Sequence, residues 1–132
     1  MTQTVHLQWL EIAHRELNVA MHLYETYRPV PFEIICFHCQ QSAEKALKAL
    51  YIFLNIPGGT PRTHDLSLLM DLMHNAVVIS DMLFDLADSL TPYAIAARYP
   101  SELNFDEYKT KKALQAAKEI LNWTEKSMKA QP

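Results

Sequence analysis

Glycine is nearly absent from this chain, which has two among its 132 residues, Gly58 and Gly59. The dinucleotide-binding fingerprint and the P-loop both need several glycines where the backbone approaches phosphate, so both are excluded. Tight β-hairpins also depend on glycine for positive φ angles, and its scarcity argues against a sheet. A chain of this length can bury an independent core. We therefore predict a single all-α domain over residues 1–132.

Long apolar runs and an overall basic charge are also missing. No segment approaches the run of about 18 apolar residues that crosses a bilayer, and residues 1–10 lack the features of a signal peptide. We therefore expect a cytoplasmic protein that does not enter a membrane. The net charge of −3 gives the whole chain no electrostatic footprint for nucleic acid. Charge is uneven, because residues 63–97 contain no Lys or Arg, whereas from Arg98 onward seven basic residues face five acidic ones.

The only two cysteines, Cys36 and Cys39, form a Cys-x-x-Cys motif. Such a pair is typical of a redox site or of half a zinc site. No second ligand pair follows at a zinc-finger spacing, and the two cysteines share an apolar helical stripe with i, i+3 spacing. We predict that both are small buried hydrophobic residues.

Two pairs of residues, Glu11 with His14 and Asp71 with His74, have the i, i+3 spacing of carboxylate-bridged di-iron bundles. Such sites require further acidic side chains that point inward. Glu33 and Glu44 are the candidates on the second helix, but we expect Glu44 at its polar edge. We therefore predict no metal and no cofactor.

Apolar residues recur with a helical period in every segment between the prolines and the glycine pair. They predict helices over residues 5–27, 32–54, 66–74, 81–90 and 105–128, with one further turn after Thr91 and Pro92. Predicted N-caps are Asp65, Ser80 and Asn104. This succession predicts an antiparallel up-and-down bundle of four or five helices.

The second predicted helix carries apolar residues on two sides. Ile34, Phe37 and Ile52 lie opposite the main apolar stripe, interspersed with glutamine and lysine. A small helical domain with a second apolar face usually places it against another subunit across a two-fold axis. We therefore predict a homodimer, with a charged groove between the copies near Arg98.

Three sequence pieces resemble the HEPN domain family: CQQSAEKALKAL at residues 39–50, THDL at residues 63–66 and ARYP at residues 97–100. Their order and spacing agree with that family over nearly the whole chain. The resemblance implies a four- or five-helix bundle that pairs as a dimer. Many HEPN proteins are metal-independent ribonucleases, often the toxin encoded beside a minimal nucleotidyltransferase antitoxin, and others bind nucleotides or serve as partner modules.

HEPN ribonucleases carry an Arg, then four to six residues, then a His near the start of the last helix. Arg98 stands where the resemblance places the Arg, but the allowed His positions hold Leu103, Asn104 and Phe105. None of these side chains can shuttle a proton as an imidazole does. Arg15 and His22 also have this spacing, but they lie in the first helix, and we interpret that match as coincidence.

The candidate ligand-binding residues are Arg98, Lys45, Lys48, Tyr93 and His64. Arg98 is the main anchor for a phosphate, because guanidinium forks onto phosphate and keeps its proton. Lys45 and Lys48 lie within one helical turn and would assist. Tyr93 would stack on a base.

Each of these residues also has a structural alternative. Arg98 would instead pair with a nearby acid, and the two lysines with Glu44 at the surface. Tyr93 would close the core. His64 would hydrogen-bond back to the second helix, while Asp65 caps the third.

The sequence therefore predicts a nucleotide- or RNA-binding HEPN protein, the toxin-like partner of a minimal nucleotidyltransferase in a two-gene module. The alternative is a metal-independent ribonuclease with a rearranged site, in which His64 moves the proton and Arg98 stabilises the phosphate charge. A third hypothesis is an interaction protein without any ligand.

Overall fold

The computed structural model describes residues 2–96 and 104–131, and in that part of the chain it contains helices and no strand. The helices are α1 (Thr2–Thr26), α2 (Phe32–Phe53), α3 (Leu66–Met73), α4 (Asp81–Leu90), α5 (Tyr93–Ala96) and α6 (Glu107–Ala130). They form an antiparallel bundle in which α2 packs against α1 on one side and α6 on the other. This architecture confirms the predicted all-α class.

Proline positions and the predicted caps placed several helix ends closely. The predicted bounds of α2 and α3 agree with the structure to one residue, and those of α4 agree fully. The extra turn is present as α5, where the amide of Ala96 donates to the carbonyl of Pro92 at 3.1 Å. A proline at the start of a helix leaves no N–H unsatisfied, which explains why α5 follows it directly.

The central helix α2 is buried on nearly all sides. From residue 39 to residue 51, every side chain except Lys45 is buried. A helix covered all round must satisfy its polar groups within the protein, and α2 buries Gln40, Glu44 and Lys48. No helix in the described part of the chain is both long enough and apolar enough to cross a membrane.

Small residues let the long helices approach α2 closely. Ala43 and Ala46 of α2, Ala13 of α1 and Ala117 of α6 are fully buried. The hydroxyl of Ser42 donates to the carbonyl of Ala13 at 2.8 Å and so fixes α1 along α2. Larger buried side chains fill the space between the helices, and each contributes about 1.5–3 kcal/mol through removal from water. They include Ile35, Leu47, Leu50, Leu66, Leu69, Met70, Leu90 and Ile120.

Two of the three predicted N-caps are confirmed. The carboxylate of Asp65 accepts from the amide of Leu68 at 3.2 Å. The hydroxyl of Ser80 accepts from the amide of Leu83, also at 3.2 Å. Each cap satisfies an amide that has no partner within its helix.

The predicted cap at Asn104 is wrong. Asp106 is the N-cap of α6, and its carboxylate accepts from the amide of Lys109 at 2.8 Å. Asp106 has the extended backbone of a capping residue, with φ −145° and ψ 179°. The helix therefore starts two residues later than predicted, and Phe105 packs its ring against Tyr93 instead, with centroids 5.5 Å apart.

The cysteine prediction is confirmed. Cys36 and Cys39 are fully buried, and neither forms a disulfide. Burial raises the pKa of Cys36 to about 11, although a contact with the hydroxyl of Thr110 opposes the rise, and burial also raises the pKa of Cys39. Thiols that hold their protons so firmly are inert and serve as packing groups.

The close burial of the core predicts how much a cavity would lower the free energy of unfolding. Replacing the fully buried Leu50 in Leu50→Ala should lower the free energy of unfolding by about 2–5 kcal/mol, because the lost methyl groups leave a void beside α2. The matched control is Leu7→Ala. Because Leu7 is 54% exposed, this substitution should lower the free energy of unfolding by no more than about 0.5 kcal/mol. Urea denaturation measures both, and similar losses for the two variants would contradict this description of the core.

Candidate functional site

A buried carboxylate lies on the central helix α2. Glu44 of α2 is 1% exposed, and four side chains surround its two oxygens. His64 Nδ1 lies 2.7 Å from Oε1, and the amide of Gln40 donates to the same oxygen at 3.1 Å. Lys48 Nζ lies 2.9 Å from Oε2, and Lys45 Nζ lies 3.4 Å from it. We call Gln40, Gln41, Glu44, Lys45, Lys48 and His64 the Glu44 cluster.

Helix geometry explains most of this arrangement. Gln40, Glu44 and Lys48 are four residues apart, so they lie above one another on one face of α2. His64 comes from a different segment, immediately before the cap of α3. The connection from α2 to α3 therefore returns to α2 and covers the carboxylate. This contact confirms the expectation that His64 hydrogen-bonds back to the second helix.

The partners of Glu44 keep it ionised despite its burial. Burial alone raises the pKa of a carboxyl group, because it disfavours the charged form. Here the hydrogen bonds from His64, Lys48 and Gln40, together with the charge of Lys45, outweigh burial and lower the pKa of Glu44 from 4.5 to about 2. An ionised carboxylate only accepts hydrogen bonds, so Nδ1 of His64 carries the proton.

The two glutamines extend the hydrogen bonds outward. The side-chain amide of Gln40 also donates to the main-chain carbonyl of His64 at 3.2 Å. Its oxygen accepts from the amide of Gln41 at 2.7 Å. The oxygen of Gln41 in turn accepts from Lys45 Nζ at 3.4 Å. The two amides thus link the histidine segment to a lysine ammonium group and restrict the positions of both.

An aromatic ring from α1 completes the surroundings of the lysines. Lys45 Nζ lies over the Trp9 ring at 5.8 Å from the centroid, and Lys48 Nζ lies over it at 5.9 Å. Ammonium groups are attracted to an aromatic face within about 6 Å. Besides Glu44 and Gln41, Trp9 is therefore a third residue that contacts these lysine side chains and restricts their positions.

Positive charge exceeds negative charge in the cluster. In the described residues, the ion pairs of Lys45 and Lys48 both end on Glu44, so two ammonium groups share one carboxylate. The cluster carries a net charge of about +1 when His64 is neutral. Its solvent-facing side is formed by His64, whose side chain is 55% exposed, and by Lys45, which is 22% exposed.

The structure brings together three of the five predicted ligand residues, namely Lys45, Lys48 and His64. Tyr93 lies elsewhere. It is buried beside Phe105, and burial raises the pKa of its hydroxyl to about 12. It neighbours Cys36, which is eight residues and about 12 Å along α2 from Glu44. Arg98 lies outside the described residues.

Two sequence expectations for this region are corrected. Glu44 is not at a polar edge, because it is 1% exposed and the segment of His64 covers it. The lysines do pair with Glu44, but Lys48 is buried and Lys45 is only partly exposed, so neither is an ordinary surface lysine.

Gln40, Gln41 and Trp9 were not among the ligand-binding residues predicted from the sequence. The i, i+4 spacing of Gln40 and Glu44 is a local signal that the two side chains meet. Trp9 is far in sequence from the lysines that it contacts, so no local pattern predicts that contact.

The acid and histidine pairs considered as metal ligands are surface contacts. Glu11 pairs with Arg15 at 3.8 Å, and His14 pairs with Glu125 at 3.3 Å. No group of three or more metal-binding side chains occurs among the residues that the structure describes.

The second pair with the Arg-to-His spacing of the nucleases, Arg15 and His22, is also on the surface. Arg15 and His22 line one open groove of about 470 Å³ on α1. Arg15 pairs there with Glu11, which is strongly exposed, as is Arg15 itself. This groove therefore offers an imidazole and a guanidinium in open solvent, without the buried support that Glu44 gives to His64.

Removing the carboxylate tests the cluster. Glu44→Ala should lower the free energy of unfolding by about 3–5 kcal/mol, because it leaves Lys48, whose side chain is 9% exposed, without its counter-charge. The control Glu25→Ala removes an exposed carboxylate from α1 and should change stability by less than about 0.5 kcal/mol. Urea denaturation gives both values.

The double variant Glu44→Leu with Lys48→Met should recover part of that loss, because apolar replacement of a complete buried pair is often neutral. Equal effects of Glu44→Ala and Glu25→Ala would contradict the buried cluster.

Comparison with known proteins agrees with this architecture. Among solved structures, the chain is similar to an archaeal HEPN homologue, with 25% identity and a TM-score of 0.74 over 93% of this chain and 97% of that one. It is also similar to a protein from Thermus thermophilus, TT1696, with 25% identity and a TM-score of 0.78 over 92% and 97% of the two chains. No curated protein matches at a significant level. Residues 6–127 match the model of the HEPN domain, which covers every element of the cluster, and the chain therefore belongs to the HEPN domain family.

Proposed function

We propose that this HEPN protein binds the phosphate of a nucleotide or of RNA at the Glu44 cluster. The observation that carries the proposal is the shared carboxylate: two ammonium groups meet one Glu44, which leaves positive charge beside a half-exposed His64. An anionic ligand would balance that charge. Arg98, placed by the resemblance at the family's phosphate-handling position, would supply a guanidinium to the same ligand.

The distances suggest different tasks for the two lysines. Lys48 Nζ makes a close contact with Glu44 at 2.9 Å and has little exposure. Lys45 Nζ is 3.4 Å from both of its acceptors and is more exposed. Lys45 therefore loses little when it turns to a phosphate, whereas Lys48 remains with Glu44. We assign the direct contact to Lys45 and the support to Lys48.

We also propose that the protein acts as a homodimer and as the toxin-like partner of a minimal nucleotidyltransferase. Family membership supports the partnership, because such HEPN proteins are often encoded beside that enzyme. An apolar residue at the start of α2 supports the dimer, since Ile34 is 43% exposed. A short nucleotidyltransferase reading frame next to this gene would support the two-gene module. The cytoplasmic location stays a prediction.

Ligand-induced stabilisation tests the binding proposal. ATP, GTP or a short single-stranded RNA, added in excess over its dissociation constant, should raise the melting temperature by several degrees. Lys45→Gln should weaken binding at least tenfold, because a charge-assisted hydrogen bond contributes about 1.5–3 kcal/mol. The matched control Lys126→Gln removes an exposed lysine from α6 and should leave affinity unchanged.

An unchanged melting temperature with all three ligands would contradict the proposal and favour the ligand-free interaction protein. Equal weakening by Lys45→Gln and Lys126→Gln would show attraction by overall charge and would contradict the assigned site.

One observation favours the ribonuclease as the second candidate function. Glu44 accepts from Nδ1 of His64, which leaves Nε2 of a half-exposed ring as the proton acceptor. A carboxylate that orients an imidazole in this way is the usual support of a general base. We expect single-stranded RNA to stay intact in the presence of a chelator. Cleavage that disappears in both His64→Ala and Arg98→Ala would instead assign catalysis to this protein.

A further inference from the structure

A groove of about 420 Å³ opens at one end of the bundle, between the α3–α4 connection and the end of α6. Residues 74–78 line one side, and Ser127, Ala130 and Gln131 line the other. Most of these side chains are small or apolar. The groove is therefore large enough, and apolar enough, to take apolar side chains from a partner.

Val78 lines this groove with 90% of its surface exposed, more than any other large hydrophobic residue among those described. Its neighbours Val77 and Ile79 pack against the core, so the side chain between them is turned outward. The amides of Ala76 and Val77 donate to the carbonyl of Met73 at 2.9 and 3.2 Å and fix the connection to the end of α3. Val78 is therefore held in water by a restrained backbone, which lowers the entropy cost of docking.

Two further apolar side chains are exposed beside the connection. Leu72 lies in the last turn of α3 and is 45% exposed, and Met82 lies in the first turn of α4 and is 62% exposed. Because the connection that carries Val78 joins these two turns, all three residues lie at the same end of the helix pair. Single exposed apolar residues are ordinary, whereas several beside a groove are typical of an interaction surface.

The charged side chains around this end are acidic. Asp71 in the last turn of α3 is exposed and has only a long contact with His74, at 3.9 Å. Asp81 and Asp85 of α4 are exposed as well, and neither forms an ion pair within the described part of the chain. They are one helical turn, or about 6 Å, apart on one face of α4. Cations one turn apart on a partner helix match that spacing.

Two helix ends add to this negative character. His74 is the C-cap of α3 and Gln131 is the C-cap of α6, and both residues line the groove. The last carbonyl groups of a helix carry a partial negative charge, which attracts cations. Lys126 and Lys129 lie close by in the sequence of α6, but they do not line the groove.

We propose that this end of the bundle docks a basic amphipathic helix of another protein. Apolar side chains of that helix enter the groove beside Val78, and its Lys or Arg side chains face Asp81, Asp85 and the ends of α3 and α6. The same acidic groups repel nucleic acids and anionic membranes, so charge complementarity favours a basic protein segment.

The docking surface is distant from the side of Tyr93. Thr110 of α6 contacts Cys36 near the start of α2, and Tyr93 neighbours that cysteine. Ser127 of the groove is 17 residues further along α6, which corresponds to about 25 Å. A partner in the groove therefore leaves the opposite end of the bundle free, and the inference does not depend on phosphate binding at the Glu44 cluster.

Calorimetry of the full-length protein with a synthetic peptide tests the proposal. The probe is a peptide of about 18 leucine and lysine residues, with the leucines on one helical face. A peptide of the same composition in scrambled order is the comparison, and the parent should bind the patterned peptide at least tenfold more tightly. Val78→Ser should weaken that binding at least fivefold, because it removes an apolar contact. The matched control Val19→Ser changes a valine on α1 that is 38% exposed, and it should leave the affinity unchanged.

A second pair of variants tests the charges. Asp81→Asn combined with Asp85→Asn should weaken the patterned peptide at least fivefold and reduce the salt dependence of its binding. Glu11→Gln combined with Glu25→Gln removes two exposed carboxylates from α1 and should have no such effect. All of these positions are exposed, so each variant should keep the fold of the parent.

Three results would overturn the docking surface. The first is equal affinity for the patterned and scrambled peptides, or binding of neither. The second is equal weakening by Val78→Ser and Val19→Ser, or by the two charge variants, which would show general attraction to the protein surface. The third is a parent that is dimeric in gel filtration and a Val78→Ser variant that is monomeric, because a second copy would then cover this surface.

Discussion

The burial of one ionised carboxylate governs the organisation of this protein. Moving a carboxylate out of water costs several kcal/mol unless charged and hydrogen-bonding partners surround it. Glu44 is 1% exposed, and its partners come from its own helix and from the segment before α3. The position of the α2–α3 connection and the conformations of both lysines follow from that requirement. Lys45 and Lys48 carry two positive charges and Glu44 carries one negative charge. The positive charge that remains is the basis of the proposed ligand site.

The same helix serves the core and the site. The alanine and leucine side of α2 packs between α1 and α6, while Gln40, Glu44 and Lys48 occupy another side and are buried as well. A rigid, fully covered helix holds side chains more precisely than a loop would. The cluster therefore sits on the most restrained element of the bundle, with His64 as its most exposed member. This combination favours binding by preorganised charge, which needs little rearrangement.

Much of the fold was predictable from the sequence because local signals determine it. Proline and the glycine pair mark the helix ends, and the caps at Asp65 and Ser80 act within three residues. The cap of α6 was mistaken because Asn104 and Asp106 both suit that role, and the choice depends on Phe105 reaching Tyr93. The site was only partly predictable. Lys45 and Lys48 have a local signal, and His64 was expected to return to the second helix. That its partner there is Glu44, 20 residues away, depends on tertiary structure.

A titration of the Glu44 carboxyl group is the most direct test, with its carbon-13 resonance assigned by comparison with Glu44→Gln. The pKa of Glu44 should lie near 2, well below its ordinary value of 4.5. Since the folded pKa is the lower one, the stabilisation from Glu44 is complete above pH 4.5 and is lost as pH falls towards 2. The stability difference between the parent and Glu44→Gln should narrow over that interval. A carboxyl group that titrates at 4.5 or above would show that its partners do not outweigh burial, and it would contradict the charged cluster on which the proposed site depends.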